Sequence, residues 1–364
     1  MAAKIERLQS DHYLIPLKET LTDSMHGEMR GFEIITARVT DSDGATGVGY
    51  TFTCGRNGGA VHDVLDREIA EIARGEEAGR IEHLWKKIWW ATHYGGRGGP
   101  TVLALSAFDI ALWDLAATKA GQPLWRHLGG FDPAVKCYAG GIDLMLDADA
   151  LIAQTEKNLA RGFRAIKMKV GRERLSEDVA KVAAMRAFLG EGTPLMLDAN
   201  MKYTADQAIR AARAFAPYDP YWLEEPVEPD DIAGAARVLS EGGLPVANGE
   251  NLRTLQDFRN FITAGAVSFP EPDVTNCGGV TVFMKIAKLA EAFGLPVTSH
   301  GAHDFTVHCL AAAPNASYLE AHGFGLDEFI AHPLEIRDGV ALAPERPGHG
   351  VAFDWAALEA LRKA

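Results

Sequence analysis

The sequence predicts an α/β fold, a β/α barrel joined to an α+β capping domain, and three observations carry that expectation. From about Val135 to Glu320, short apolar or β-branched runs alternate with longer stretches of helical periodicity, the pattern of repeated βα units around a parallel sheet. The runs number eight, which is the count of a closed barrel, and no GxGxxG turn of an open doubly wound sheet interrupts them. The first 130 residues read differently, as strand-like segments followed by a helical one.

In order, the barrel strands are CYAGG from Cys137, AIKMK from Ala165, LMLD from Leu195, YWLEE from Tyr221, VANGE from Val246, VSF from Val267, VTSH from Val297 and SYLE from Ser317. Between them Leu151, Ile152, Thr155 and Leu159 share a helical face, as do Val179, Val182 and Met185, and Thr204 with Gln207 reads as a capping box. In the cap, strands are expected over 32–39 and 46–53, and a helix through Leu103, Phe108, Ile110, Leu112 and Leu115. The organisation that follows is a capping domain over 1–130, a barrel over 131–325, and a C-terminal segment over 326–364 that returns to the cap. Two polar cap segments, 18–27 and 51–59, are expected as lid loops, with Gly55, Gly58 and Gly59 allowing closure over a ligand.

Composition narrows the function. The 364 residues suffice for a barrel with an added domain, and 47% hydrophobic with 23% charged residues is ordinary for a globular protein. A formal charge of −13 leaves no basic footprint for nucleic acid or an anionic membrane surface. The N-terminus MAAKIERLQS lacks an apolar signal core and no run of about 18 apolar residues is evident, so a cytoplasmic location is expected. Cys54, Cys137, Cys277 and Cys309 are far apart and form no CxxC pair, which argues for reduced, mostly buried thiols.

Active sites of β/α barrels lie at the C-terminal ends of the strands, and here a reactive residue closes one strand after another. Lys167 and Lys169 close the second, Asp198 the third, Glu224 the fourth, Glu250 the fifth, Asp273 the sixth, His300 the seventh and Glu320 the eighth. Three carboxylates from successive strands, Asp198, Glu224 and Glu250, offer hard oxygen ligands that suit Mg2+ better than zinc. Lys167 and Lys169 are two apart on a strand and so share the inner face, where mutual repulsion and a nearby cation are expected to depress a lysine pKa toward that of a usable base. Asp273 beside His300 is positioned to orient an imidazole acid/base. His303, completing HxxH, is a candidate substrate contact. Such a site supports removal of a proton α to a carboxylate. A Schiff-base aldolase would use a barrel lysine but has no need of three clustered acids.

These residues resemble the mandelate racemase group of the enolase superfamily. The likeness runs over nearly the whole chain through FRAIKMKVG, LMLDAN, WLEEP, ANGEN, PDVTNCGG, TSH and YLE, with SAFDIALWDLAATKAGQPLWRHLGG in the cap. It implies a modified TIM barrel of (β/α)7β form and one Mg2+ per subunit on Asp198, Glu224 and Glu250. It further implies Lys169 as base on one face of a small-molecule carboxylate, His300 with Asp273 on the other, Lys167 and Glu320 at the substrate carboxylate, and Asn200 in the pocket. A homo-oligomer, commonly an octamer, is also implied. The sixth strand departs from the pattern in reading VSFPEPD, and Pro270 predicts a bulge just before Asp273.

In that group a Lys-x-Lys site combined with a His–Asp pair is found mostly in acid sugar dehydratases. The polar lid segments, with Lys18, Glu19, Thr20, Asp23 and His26 in one and Thr53, Arg56 and Asn57 in the other, agree with a polyhydroxy substrate. His26 and Arg56 are therefore expected to bind it, Arg56 at a distal carboxylate. The expected reaction is dehydration of an aldonate or aldarate to a 2-keto-3-deoxy acid. The alternative is a racemase, epimerase or cycloisomerase using the same groups, distinguished by whether the product loses water.

Overall fold

The computed structural model describes residues 2–322 and 324–363. The capping domain opens with an antiparallel sheet of β1 (Ile5–Asp23), β2 (Gly27–Asp41) and β3 (Thr46–Thr53), in that spatial order. The edge strand β1 escapes a sequence reading because it never alternates cleanly. Its register slips between Pro16 and Leu21, as suits a proline confined to a sheet edge. The segment 18–27 is thus the end of a long hairpin rather than a loop.

Helix Gly99–Lys119 lies across β3. By length and composition it is apolar enough to span a membrane, though Asp109 and Asp114 interrupt its apolar run, and it is a buried core helix. Burial on every side explains its all-round apolarity. Its two acids serve as ties: Asp109 accepts from the Thr281 backbone N–H at 2.9 Å and hydroxyl at 2.6 Å, and Asp114 accepts from Val48 N and His349 N, both at 2.9 Å.

The helix approaches the strand this closely because Gly47 and Gly49, two apart, clear one face of β3. A Cβ on Gly49 would lie 2.2 Å from Ala107 O, and one on Gly47 2.1 Å from Ala111 O. Gly49→Val is therefore expected to cost about 3 kcal/mol or more and to lower Tm by roughly 6 °C or more in thermal denaturation. Gly79→Val, where nothing lies within 4 Å of the added Cβ, is the control and should leave Tm nearly unchanged.

The barrel strands are β4 (Ala134–Ala139), β5 (Ile166–Lys169), β6 (Leu195–Asp198), β7 (Leu223–Glu224), β8 (Val246–Asn248), β9 (Phe269–Pro270) and β10 (Leu319–Ala321). They pair in parallel from β4 to β9, and β10 returns to β4 with Leu319 opposite Cys137. The seventh position is reduced to a bridge between Val297 and Ala316, where Thr298 N donates to Pro270 O at 2.9 Å and Ser317 N to Val297 O at 2.7 Å. The fold is the (β/α)7β barrel with its cap.

Pro270 has the expected consequence. Ser268 N donates to Val246 O and Glu271 N to Asn248 O, so three residues on β9 span two on β8 and the strand bulges. Inside the ring, Tyr138, Ala165, Met196, Trp222 and Ala247 form a closed apolar plug beneath the mouth. The helices, among them Ala205–Phe215 with the Thr204–Gln207 capping box, pack outside.

After β10 the chain forms a hairpin of β11 (Ile336–Arg337) and β12 (Val340–Leu342), and β12 pairs antiparallel with β4. The tail then reaches the cap, where Arg362 pairs with Asp11, Lys363 Nζ donates to Glu33 at 2.7 Å and Leu14 N donates to Leu361 O at 3.0 Å. Cys137, Cys277 and Cys309 are buried thiols, and Cys54 is exposed.

Candidate active site

Lys167 and Lys169 both point into the barrel, as their two-residue spacing on β5 dictates. Lys167 Nζ is enclosed by Glu224 Oε1 at 2.6 Å, Glu320 Oε1 at 2.7 Å and Asp198 Oδ2 at 3.4 Å. Lys169 Nζ pairs with Asp198 Oδ2. Burial acts to lower both lysine pKa values, but the surrounding carboxylates outweigh it and hold both above the ordinary lysine value. The sequence pointed to a lysine depressed beside a bound cation; the protein's own carboxylates act in the opposite direction. Repulsion between the two ammoniums is present, but Asp198, Glu224, Glu250 and Glu320 exceed it.

Asp198, Glu224 and Glu250 each present an oxygen within 4.8 Å of the others. Trp222 Nε1 donates to Glu224 Oε2 at 3.0 Å, which orients that carboxylate. Glu250 Oε2 is buried and has no hydrogen-bond partner among the described residues. An unpaired buried carboxylate oxygen beside two further acids fits a small divalent cation with oxygen preference. Burial and the neighbouring Asp198 push the Glu224 carboxyl well above its usual range, a repulsion that a bound cation relieves.

Across the mouth, His300 Nδ1 lies 2.9 Å from Asp273 Oδ2. Asp273 is itself held by the Thr275 backbone N–H at 2.7 Å and hydroxyl at 2.6 Å, so the ring is fixed with Nε2 inward. Nε2 faces Glu250 Oε2 at 3.7 Å and Glu320 Oε2 at 3.9 Å. Burial would lower the imidazole pKa, but Glu250, the Asp273 bond and Glu320 raise it to about 10.

Above these groups lies a cavity of about 270 Å³ between barrel and cap. Lys169, Asn200, Glu250 and His300 line its barrel side, and His26 and Arg56 its cap side, so six residues singled out in the sequence meet there. Lys167, Asp198, Glu224, Asp273 and Glu320 form a buried layer outside the lining. His303 is not brought to this cavity. It opens helix His303–Ala311, and its Nε2 turns to Asp327 Oδ1 at 3.2 Å and Asp304 Oδ1 at 3.6 Å.

Sequence reasoning missed the apolar wall. Phe52 and Phe324 stack with ring centroids 3.7 Å apart, and Phe324 lies 5.9 Å from the His300 ring. Phe32, Met29, Leu103 and Ile142 continue that wall. Gly301 makes room for it, since a Cβ there would sit 2.2 Å from the Phe324 ring. Phe324 follows the last barrel strand with no periodicity to flag it. Asp23, by contrast, was readable as the start of a D-x-x-H-G turn.

Two family models match the chain: "Enolase C-terminal domain-like" over residues 150–357, and "Mandelate racemase / muconate lactonizing enzyme, N-terminal domain" over residues 18–129. The chain is 54% identical over 354 residues to 3,6-anhydro-alpha-L-galactonate cycloisomerase of Streptomyces coelicolor, covering 97% of this chain and 98% of that protein. A crystal structure of a racemase from Streptomyces coelicolor A3(2) with bound magnesium is similar at a TM-score of 0.97 and 53% identity, over 99% of this chain and 100% of that one. L-Talarate dehydratase from Polaromonas sp. JS666, in complex with Mg and L-glucarate, is similar at a TM-score of 0.94 and 33% identity, over 100% and 98% of the two chains. With the acidic cluster in place, these likenesses identify the cofactor as Mg2+. Sequence, fold and site agree: the chain is an enzyme that belongs to the mandelate racemase group of the enolase superfamily.

Proposed function

We propose that this protein is a cycloisomerase that opens the cyclic ether of a 3,6-anhydrohexonate by removing its α-proton. The observation that carries the reading is the stacked Phe52–Phe324 wall facing Lys169 and His300, in a chain 54% identical to a cycloisomerase of such an acid. A cyclic ether presents bare C–H edges to aromatic faces, whereas an open polyol presents hydroxyls that such a wall leaves unpaired. The sequence argument for dehydration rested on the resemblance of the Lys-x-Lys site with its His–Asp pair to acid sugar dehydratases, and on polar lid residues. Of the lid residues, Lys18, Glu19 and Thr20 lie outside the cavity lining, with Lys18 paired to Glu328 on the surface, whereas Asp23, His26, Thr53, Arg56 and Asn57 line it.

The α-proton of a carboxylate is weakly acidic because its removal creates a dianionic enediolate. Mg2+ held by Asp198, Glu224 and Glu250 supplies the electrostatic stabilisation of that charge. Lys167 adds a fixed positive charge below the floor, and Glu320 positions it. Lys169 and His300 come from the second and seventh ring positions, so the α-carbon sits between two proton-transfer groups. Lys169, after releasing its own proton to solvent, takes the α-proton. The enediolate then expels the β-oxygen. When that oxygen belongs to a ring, it stays attached through C6 and the product is an isomer; when it is a free hydroxyl, water leaves.

Arg56, Asn57 and Arg253 at the cavity edge favour a second reading, dehydration of an open-chain acid sugar with a distal polar end. Turnover of Mg2+-loaded enzyme with 3,6-anhydrogalactonates and with open-chain aldonates and aldarates separates the two. The expected result is conversion of an anhydro acid to an isomeric 2-keto-3-deoxy acid with at least about tenfold higher kcat/KM, on the scale of one pocket contact. Water loss from open-chain acids alone would replace the proposal with the second reading.

A further inference from the structure

We propose that the His26–Asp23 pair at the tip of the cap hairpin is a further catalytic acid, donating the proton that the ring oxygen needs as its bond to C3 breaks. The inference rests on the ring-opening reading above and assigns one more residue to it.

The hairpin tip is built to present this imidazole. Asp23 closes β1, and its Oδ1 accepts from Met25 N at 2.9 Å and His26 N at 2.6 Å, which fixes the turn. Its Oδ2 lies 2.7 Å from His26 Nδ1, which fixes the ring. With Nδ1 engaged, Nε2 is the nitrogen left to meet a ligand. Asp23 is buried, the His26 side chain is 41% exposed, and both line the cavity with Lys169, Glu250 and His300.

The tip is also anchored. Ser24 Oγ donates to Ala199 O at 2.7 Å, one residue past Asp198, and Thr22 exchanges backbone hydrogen bonds with Ile142 and Leu144. His26 is therefore held over the mouth from both sides. The bond from Asp23, with Glu250 at longer range, raises its pKa against burial and Lys169.

With Lys169 as base, His300 is the competing donor for this step. Lys169 and His300 flank the α-carbon at the floor, each paired with a floor carboxylate. With the substrate carboxylate at the metal, C3 to C6 project toward the cap, where His26 waits. As the base takes the proton from C2, its electrons form the enediolate. These electrons then form the C2–C3 double bond, and the C3–O bond breaks with its pair on oxygen. That oxygen takes the Nε2 proton and becomes the C6 hydroxyl, and the C2 enol ketonises by losing its O–H proton to solvent and gaining a solvent proton at C3; Lys169 then releases the C2 proton to solvent and neutral His26 regains one from it. Nothing leaves the molecule. Asp23 acts as the positioning residue.

The test uses the full chain loaded with Mg2+, the 3,6-anhydro acid and D2O, comparing wild type with His26→Gln and Asp23→Asn. Two quantities are read by NMR: deuterium entering C2 of recovered substrate, and 2-keto product formed. In both variants ring opening should fall about 100-fold, the scale of one general acid, while exchange falls far less, so that deuterated substrate accumulates. Equal loss of exchange and opening, or unchanged opening, overturns the proposal, because a merely structural role cannot move their ratio. If the wild type opens no anhydro acid, the ring-opening reading fails instead. The same ratio, measured with the open-chain acid that it does dehydrate, then decides whether His26 protonates the departing hydroxyl.

Discussion

Lys169→Ala should reduce kcat by about 10³-fold or more while leaving the fold and the metal site in place. General-base catalysis is worth roughly 10² to 10⁴ on its own, and here it acts on a carbon acid for which solvent is a poor base. The neighbouring Lys167 cannot substitute, since its Nζ is enclosed by Glu224, Glu320 and Asp198 outside the cavity lining. Lys167 also leaves Asp198 with one cationic partner in the variant, so the metal cluster is not stripped of compensation. The measurement is deuterium exchange at C2 together with product formation, with circular dichroism and Mg2+ titration as controls. Exchange that persists at the wild-type rate would transfer the base role to His300.

Asp198→Asn should be comparably severe for a different reason. Asp198 is held ionised by its neighbours: burial opposes its charge, but Lys169 and Lys167 hold its carboxyl below the usual carboxylate range. An amide keeps the shape and loses the charge that binds a hard cation. It also leaves Lys169 without its closest partner. Activity at millimolar Mg2+ should fall about 10³-fold, and the Mg2+ concentration for half-maximal activity should rise at least about tenfold. Calorimetric titration reads the second effect independently of turnover. Unchanged Mg2+ affinity would place the ion elsewhere.

Much of this site was legible in the sequence because a parallel barrel converts spacing into position. Asp198, Glu224, Glu250, Asp273 and His300 recur at about one βα unit each, and the structure gathers them at one mouth. The bulge at Pro270 was legible for a similarly local reason, the missing donor. Long-range packing was not. Phe324 reaches the site only because Gly301 lets its ring lie against the backbone after His300, and no sequence period links the two. Strand β1 was hidden by its edge position and its slipped register. Spacing shows that the two ammoniums share a face, but the pairing of Lys167 with Glu224 and Glu320 and of Lys169 with Asp198 is visible only in the fold.

The same limit explains why the sequence left dehydration and cycloisomerisation both open. Residues such as Lys18 and Glu19 are polar in the sequence, but which side chains face the cavity depends on the hairpin's docking through Thr22 and Ser24. Once docked, the cap contributes the Asp23–His26 pair and an aromatic wall beside the polar residues Thr53, Arg56 and Asn57.

The most direct test of the account follows the leaving oxygen. A 3,6-anhydro acid carrying oxygen-18 in its ring ether, turned over by the Mg2+-loaded enzyme, should give a 2-keto-3-deoxy acid of unchanged mass with the label wholly in the C6 hydroxyl. Label released into water, or a ring-labelled acid left untouched while an open-chain acid sugar loses water, would contradict cycloisomerisation.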